Sequence, residues 1–355
     1  MLNEIKKFFL SVGSIKNNLK NGVVCIGSAT KDIFFPTGDG IILETPDDLT
    51  SQRKIAFELG AKYHIDERFE TLGGCSVNVA AGLSRLGVNV SCYAPIGDDE
   101  EGNWILQRIS QNNINTSSVN KIPETVSDLS AIIVDSKSGE RTIFSNHGAS
   151  QKFVVEKEKI KNFRWVFVGD LSGDWKSNID VIFQKAWEVG MKIAFNPRQQ
   201  MLHSGMLSVL KMISFCDLLF VNKDEAIEIV SEMNGKNKIT EIEEERFLLQ
   251  KLKELGVSIV VLTDGVRGAW VFDGKEMFHC EALLRKAVDT TGSGDAFASG
   301  FFGALLKEKS ISESLKWGIA NSSSSVGFYG GEKGLLYEVE IEKNAQNISA
   351  IKITF

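Results

Sequence analysis

Short apolar runs at residues 23–28, 88–94, 165–169, 192–196, 218–222 and 258–263 alternate with longer stretches of helical periodicity. This alternation constrains the fold more than any other property of the chain. Runs of that length, apolar throughout, suit strands covered on both faces, and strands separated by helices build βαβ units. The expected fold is therefore α/β, a three-layer α/β/α sandwich with a mainly parallel central sheet. In such sheets ligands bind beyond the carboxyl ends of the strands. Gly27, Gly169, Asn196, Asn222 and Thr263 lie at or near those ends, which gathers them on one edge.

The chemistry concentrates in the run Val288, Asp289, Thr290, Thr291, Gly292, Ser293, Gly294, Asp295, Ala296, Phe297. Gly292 and Gly294 lack a Cβ, so the backbone can turn several N–H groups toward one point. Phe297, Phe301 and Leu305 then recur at helical spacing. The turn thus feeds a helix whose unpaired first amides and positive dipole end attract phosphate. Asp295 falls in the first turn, where an isolated aspartate is most often a cap. The flanking glycines and paired threonines are costly at a helix start unless a ligand must approach the backbone, which favours a phosphoryl group held beside a base.

Rival phosphate motifs fail on the same residues. Phe297 stands where a dinucleotide fingerprint needs a third small residue, and no glycine followed by lysine and serine or threonine supplies a Walker A loop. The protein-kinase signature set is absent as well.

The run resembles the C-terminal signature of the ribokinase family, the PfkB-type carbohydrate and nucleoside kinases: an aspartate, two threonines, a glycine-rich turn and the catalytic aspartate. A second segment, Gly73, Gly74, Cys75, Ser76, Val77, Asn78, Val79, Ala80 with Leu83, Leu86 and Gly87 following, is similar to the family's N-terminal signature. Smaller matches extend the resemblance from about residue 22 to about residue 335. They are Gly27 with Asp32, the turn at residues 95–102, Gly139 to Thr142 followed by Gly148 and Ala149, Asn222 with Glu225, and the strand and loop from Val260 to Gly268. Asp264 stands where the family usually has glycine.

The resemblance implies a kinase domain over residues 22–355, preceded by an extension over residues 1–21, with a small β-sheet lid formed by parts of 30–72 and 120–147. It implies ATP as phosphoryl donor, Mg2+, and a sugar or nucleoside hydroxyl as acceptor. Asp295 would take the hydroxyl proton, and the Gly292, Ser293 and Gly294 amides would form an anion hole. Asp32, Gly73, Gly74 and Asn78 would bind the acceptor, although Asn78 is also an ordinary helix-start residue. Thr263, Gly265 and Gly268 would bind nucleotide. Asn222 and Glu225 would organise magnesium through water, and they are equally a good N-cap and first-turn acid. Asp289 and Thr291 resemble positions for a monovalent cation such as K+. Lids of this kind pair between subunits or stay monomeric, so a homodimer is one expected arrangement. A non-catalytic nucleotide- or partner-binding relative is the alternative reading, as is a kinase of a sugar phosphate or sugar acid. The lack of a basic residue at Cys75 or Ser76 favours a neutral acceptor.

Composition sets outer limits. A 43% apolar content can bury one large core, and a formal charge of −6 argues against nucleic acid or an anionic membrane as partner. Cys25, Cys75, Cys92, Cys216 and Cys280 are scattered without metal spacing, which favours a reducing cytoplasm over a disulfide framework. His64, His147, His203 and His279 are dispersed too, so none is expected to ligate metal. The first twenty residues are too polar to span a membrane and lack the pattern of a secretory signal. Residues 51–62 read as a charged helical insertion. Arg141 and Arg198 could contact substrate or phosphate, with surface ion pairs as the default reading.

Overall fold

A computed structural model describes residues 20–44, 53–235, 241–285 and 287–354. The N-terminal extension expected over residues 1–21 falls almost entirely on residues outside that set. The chain begins with β1 (Lys20–Ile26), β2 (Thr30–Thr37), β3 (Ile41–Glu44), β4 (Arg53–Ala56) and β5 (Phe69–Gly73). It continues with α1 (Cys75–Arg85), β6 (Val90–Tyr93), β7 (Pro95–Gly97), α2 (Glu100–Gln111), β8 (Asn120–Ile122), β9 (Asp128–Asp135) and β10 (Arg141–Asn146). The middle of the chain holds β11 (Phe163–Val168), α3 (Trp175–Val189), β12 (Lys192–Phe195), α4 (Gln199–Ile213), β13 (Leu218–Asn222), α5 (Lys223–Met233) and α6 (Glu245–Glu254). Last come β14 (Ile259–Thr263), β15 (Ala269–Phe272), β16 (Met277–Cys280), α7 (Ser293–Leu306), α8 (Ile311–Ser325), α9 (Glu338–Ala345) and β17 (Ile351–Ile353).

The central sheet has the order β17-β16-β15-β14-β13-β12-β11-β1-β6. Strands from β6 to β14 are parallel, and β15, β16 and β17 add an antiparallel edge. Alternate residues of each strand feed opposite layers, as the period of two demands. Val24, Ile26, Val166, Val168, Phe195, Leu219 and Val221 pack with α3 to α6. Val23, Cys25, Phe167, Phe220 and Val261 pack with α1, α7 and α8. Both faces are therefore buried, which is why these strands read as unbroken apolar runs, and the expected three-layer α/β/α sandwich is what forms.

A smaller sheet of order β10-β9-β2-β5 stands on one edge of the sandwich, built from the two stretches expected to form a lid. Phe34, Ile132 and Val134 give it a core of its own, and Tyr329, stacked on Phe69, joins it to the body. The helical reading of residues 51–62 is corrected. β4 pairs antiparallel with β3, setting Ile55 opposite Ile42, and Gly60 takes a left-handed φ of 79° inside a turn. Cross-strand pairing with a partner nine or more residues upstream outweighed local helix propensity there. No helix among the described residues is long and apolar enough to cross a membrane.

Candidate active site

Two helices meet the carboxyl edge of the sheet with unusual starts. α1 begins at Gly74, with φ 97°, and α7 at Gly292, with φ 74°, and neither start has a side-chain cap. Elsewhere Asp99, Asn222 and Ser310 cap α2, α5 and α8 with their side chains. An uncapped helix start leaves its first amides for a ligand, and the dipole makes an anion the favoured one. Both glycines are required by more than their φ. A Cβ on Gly74 would lie 2.4 Å from the Ser28 carbonyl oxygen, and one on Gly292 would lie 2.6 Å from the Gly331 Cα.

Asp295 sits buried in the first turn of α7. Its Oδ2 accepts from Asn78 Nδ2 at 2.9 Å, and its Oδ1 accepts from the Arg198 guanidinium at 2.6 Å. The helices carrying Asn78 and Asp295 are locked together by close packing. A Cβ on Gly82 of α1 would come within 2.4 Å of Ser299 Cβ, and Asn321 of α8 donates to the Ala296 carbonyl at 2.9 Å. Asn78 thus orients Asp295, which is a different job from the acceptor contact expected for it. Its own Oδ1 is buried without a partner.

Asp32 projects from β2 and is buried. Burial pushes its carboxyl up to about 6, with the Ser130 and Thr30 hydroxyls pulling the other way. Gly73 lies against it: a Cβ there would sit 2.1 Å from Asp32 Oδ2, so the site needs glycine at that position. Asp170, just past the end of β11, accepts from Ser28 Oγ at 2.5 Å, and burial raises its carboxyl as well. Asp32, Asp170 and Asp295 make this half of the cleft acidic.

On the other side of the Gly292 turn, a cavity of about 410 Å³ is lined by Thr263, Gly265, Gly268, Ser293 and Gly294 together with apolar Val266, Leu284, Ile319 and Val326. Apolar walls beside the Gly294 amide fit a purine whose phosphates run toward the turn, while the Ser293 amide donates to the Thr290 carbonyl at 3.3 Å. A Cβ on Gly294 or Gly265 would meet nothing within 4 Å, whereas one on Gly268 would strike the Cys280 carbonyl oxygen at 2.0 Å. Asp264 adopts φ −141°, open to any residue, so its presence in place of glycine costs no strain. Its carboxylate faces Lys223 and Arg267.

Asn222 and Glu225 form a reciprocal capping box: Asn222 Oδ1 accepts from Glu225 N at 2.8 Å and Glu225 Oε2 from Asn222 N at 2.9 Å. Burial raises the Glu225 carboxyl to about 7. Asp289 Oδ1 accepts from Thr291 N and Oγ1, and its Oδ2 accepts from Gly330 N at 3.0 Å, so the pair braces the catalytic turn. Arg141, from the smaller sheet, donates to Thr290 Oγ1 at 2.7 Å and lies 3.6 Å from Asp289 Oδ1. The default surface reading is wrong for both arginines. Arg198 joins Asp295, and Arg141 ties the smaller sheet to the turn. Asp170 is the site residue that sequence reasoning missed, and Arg198 was named only as a candidate contact to substrate or phosphate, behind the surface ion pair. A lone aspartate after Gly169 and an arginine after Asn196 and Pro197 carry no motif, and only their place at strand ends pointed to the site. No group of three or more histidine, cysteine or acidic side chains able to hold a metal occurs among the described residues.

A sequence profile described as pfkB family carbohydrate kinase matches residues 52–335. An ATP-dependent 6-phosphofructokinase of Thermoanaerobacterium thermosaccharolyticum is 25% identical over 78% of this chain and 85% of its own length. A ribokinase of Haemophilus influenzae is 26% identical over 74% of this chain and 83% of its own. The nucleoside kinase of Methanocaldococcus jannaschii, an archaeal member of the ribokinase family, superposes with a TM-score of 0.71 at 20% identity, covering 93% of this chain and 99% of that one. An uncapped glycine turn beside a buried aspartate, on a sandwich with a smaller sheet at its edge, thus coincides with a family match over most of the length. The chain belongs to the pfkB family of carbohydrate kinases.

Proposed function

We propose that the protein transfers the γ-phosphoryl group of ATP to a hydroxyl of a neutral sugar or nucleoside, with Asp295 as the base. The observation that carries this reading is the buried Asp295 carboxylate beside the uncapped Gly292–Gly294 turn, with an apolar cavity on one side and Asp32 on the other. The hydroxyl oxygen attacks phosphorus, its proton passes to an Asp295 oxygen, and ADP departs with the electrons of the broken bond. Proton transfer comes late in such a loose transition state, so the orientation given by Asn78 matters more than basicity. The turn amides receive the charge that grows on the phosphoryl oxygens.

The residues at the head of α5 fit magnesium held through water. Glu225 is a buried carboxylate that uses Oε2 in the capping box, and burial alone keeps its proton on near neutrality, a state that a nearby cation would reverse. Magnesium bound there would supply charge neutralisation of the phosphates. A monovalent cation fits less well. Asp289 is engaged by its own loop, and the positive charge facing it comes from Arg141, so the residues present call for no further ion. Turnover in potassium and in tetramethylammonium salts is therefore expected to agree within about twofold, while Arg141→Ala makes the rate depend on potassium. A strong potassium requirement in the native protein would refute this assignment.

A neutral acceptor is favoured because Asp32 stands on its side of the cleft, and a phosphate or carboxylate placed beside it would be repelled. The ionised form of Asp32 accepts through both oxygens, whereas protonation turns one of them into a donor. Since its carboxyl titrates at about 6, kcat/KM for the acceptor is expected to fall as pH drops through that value, and Asp32→Asn should flatten this limb. A pH profile with the same acid limb in both proteins contradicts that role. The reading as a whole is tested by ADP release with ribose, fructose, adenosine and inosine, set against fructose 6-phosphate and gluconate. Turnover confined to the neutral compounds is expected. Turnover confined to the anionic ones would overturn the choice of acceptor.

A further inference from the structure

We propose that Arg198 is a catalytic residue that exchanges partners during the reaction, leaving Asp295 and taking hold of the phosphoryl group in transit. This rests on the reading of Asp295 as the base in phosphoryl transfer. Arg198 follows Asn196 and Pro197 at the carboxyl end of β12, and its extended backbone, φ −104° and ψ 155°, stands just ahead of α4. Its guanidinium reaches Asp295, while Asp170 on the acceptor side and Glu225 at the head of α5 are the other carboxylates whose charge it feels. It therefore stands between the place of the acceptor and the place of the phosphates.

Two features set it apart from a structural brace. Asp295 is already oriented by Asn78, which sits on a helix locked against α7. The Arg198 side chain is 39% exposed against 5% for Asp295, so its remaining donors open toward the cleft. The pair seen here also works against the chemistry. Both Asp295 oxygens are engaged, Oδ2 by Asn78 and Oδ1 by Arg198, so a contact must loosen before an oxygen can take the hydroxyl proton. A phosphoryl group with its charge spread over three oxygens is the stronger and better matched partner for a planar fork of donors. Moving Arg198 onto it frees Asp295 and stabilises the transfer in one displacement, and Arg198 itself neither gains nor loses a bond or a proton.

The test compares Arg198→Ala, Arg198→Lys, Arg198→Gln and Asp295→Asn with the native protein. The readouts are steady-state kinetics on whichever neutral sugar or nucleoside turns over, ADP affinity, and the affinity of Mg2+·ADP in the presence of aluminium fluoride, which mimics the phosphoryl group in flight. Arg198→Ala is expected to lower kcat by about 10²- to 10³-fold with both KM values within about threefold. It should abolish most of the tightening that aluminium fluoride gives, while ADP alone binds as before. Guanidinium ion added in solution should restore part of the Arg198→Ala rate and none of the Asp295→Asn rate. Arg198→Gln, which keeps a donor for Asp295, covers the case in which the alanine variant does not fold, and the same kinetic pattern is expected of it. If the Arg198 variants keep kcat within about threefold of the native value while Asp295→Asn is inactive, this proposal falls and the kinase reading stands. If the variants lose ADP affinity and thermal stability together with kcat, Arg198 is a brace and the proposal also falls. Full activity in Asp295→Asn would sink the underlying reading itself.

Discussion

Asp295→Asn is expected to lower kcat by about 10³-fold or more while ATP binds within about threefold of its native affinity. The amide keeps the shape of the carboxylate and can still meet Arg198 or Asn78 on its oxygen, so the fold around α7 should survive. What it loses is the capacity to take a proton and the negative charge that Arg198 balances. The nucleotide site proposed here uses different groups, the cavity walls and the uncapped turn, and these stay in place. Parallel measurement of ATP affinity and turnover separates the two effects. A loss of rate matched by an equal loss of ATP affinity would mean that Asp295 serves binding instead of chemistry.

Gly292→Ala should produce the second largest effect. The left-handed φ of 74° costs an alanine about 1–2 kcal/mol, and its Cβ would press on the Gly331 backbone at 2.6 Å. The backbone must shift, and with it the amides that face the phosphoryl group. A fall in kcat of about 10²-fold together with a lower melting temperature is the expected result. Gly294→Ala is the matched comparison, because its Cβ meets no protein atom within 4 Å. That variant should melt like the native protein, so a change in its nucleotide affinity reports crowding against the ligand alone. Equal melting temperatures and equal rates for Gly292→Ala and the native protein would contradict the role given to the turn.

Much of the architecture was legible because it rests on local patterns. Strands such as Leu218–Asn222 are apolar on both faces and could only be interior strands of a parallel sheet, and the glycine turns at residues 73–74 and 292–294 announce helix starts that lack side-chain caps. What escaped depends on contacts between distant segments. Arg198 and Asp295 are 97 positions apart, and nothing around Arg198 distinguishes it from a surface arginine until β12 and α7 are side by side. Arg198 likewise brings to this edge, from another strand, a basic group that Cys75 and Ser76 do not supply, and there Asp295 balances its charge. The β3–β4 hairpin was hidden because its charged residues suit an exposed ribbon as well as a helix face. Asn222 and Glu225 show the converse: the capping interpretation and the magnesium interpretation describe the same residues, and the capping contacts are present in full.

The central claim, transfer of phosphate to an acceptor hydroxyl, is tested most directly by following the phosphorus atom itself. Phosphorus NMR of the protein with Mg2+, ATP and a neutral sugar or nucleoside should reveal a new phosphomonoester resonance that grows in step with ADP. ADP accompanied only by inorganic phosphate, or ATP left intact while bound, would contradict the account and favour a protein that keeps the fold without the transfer.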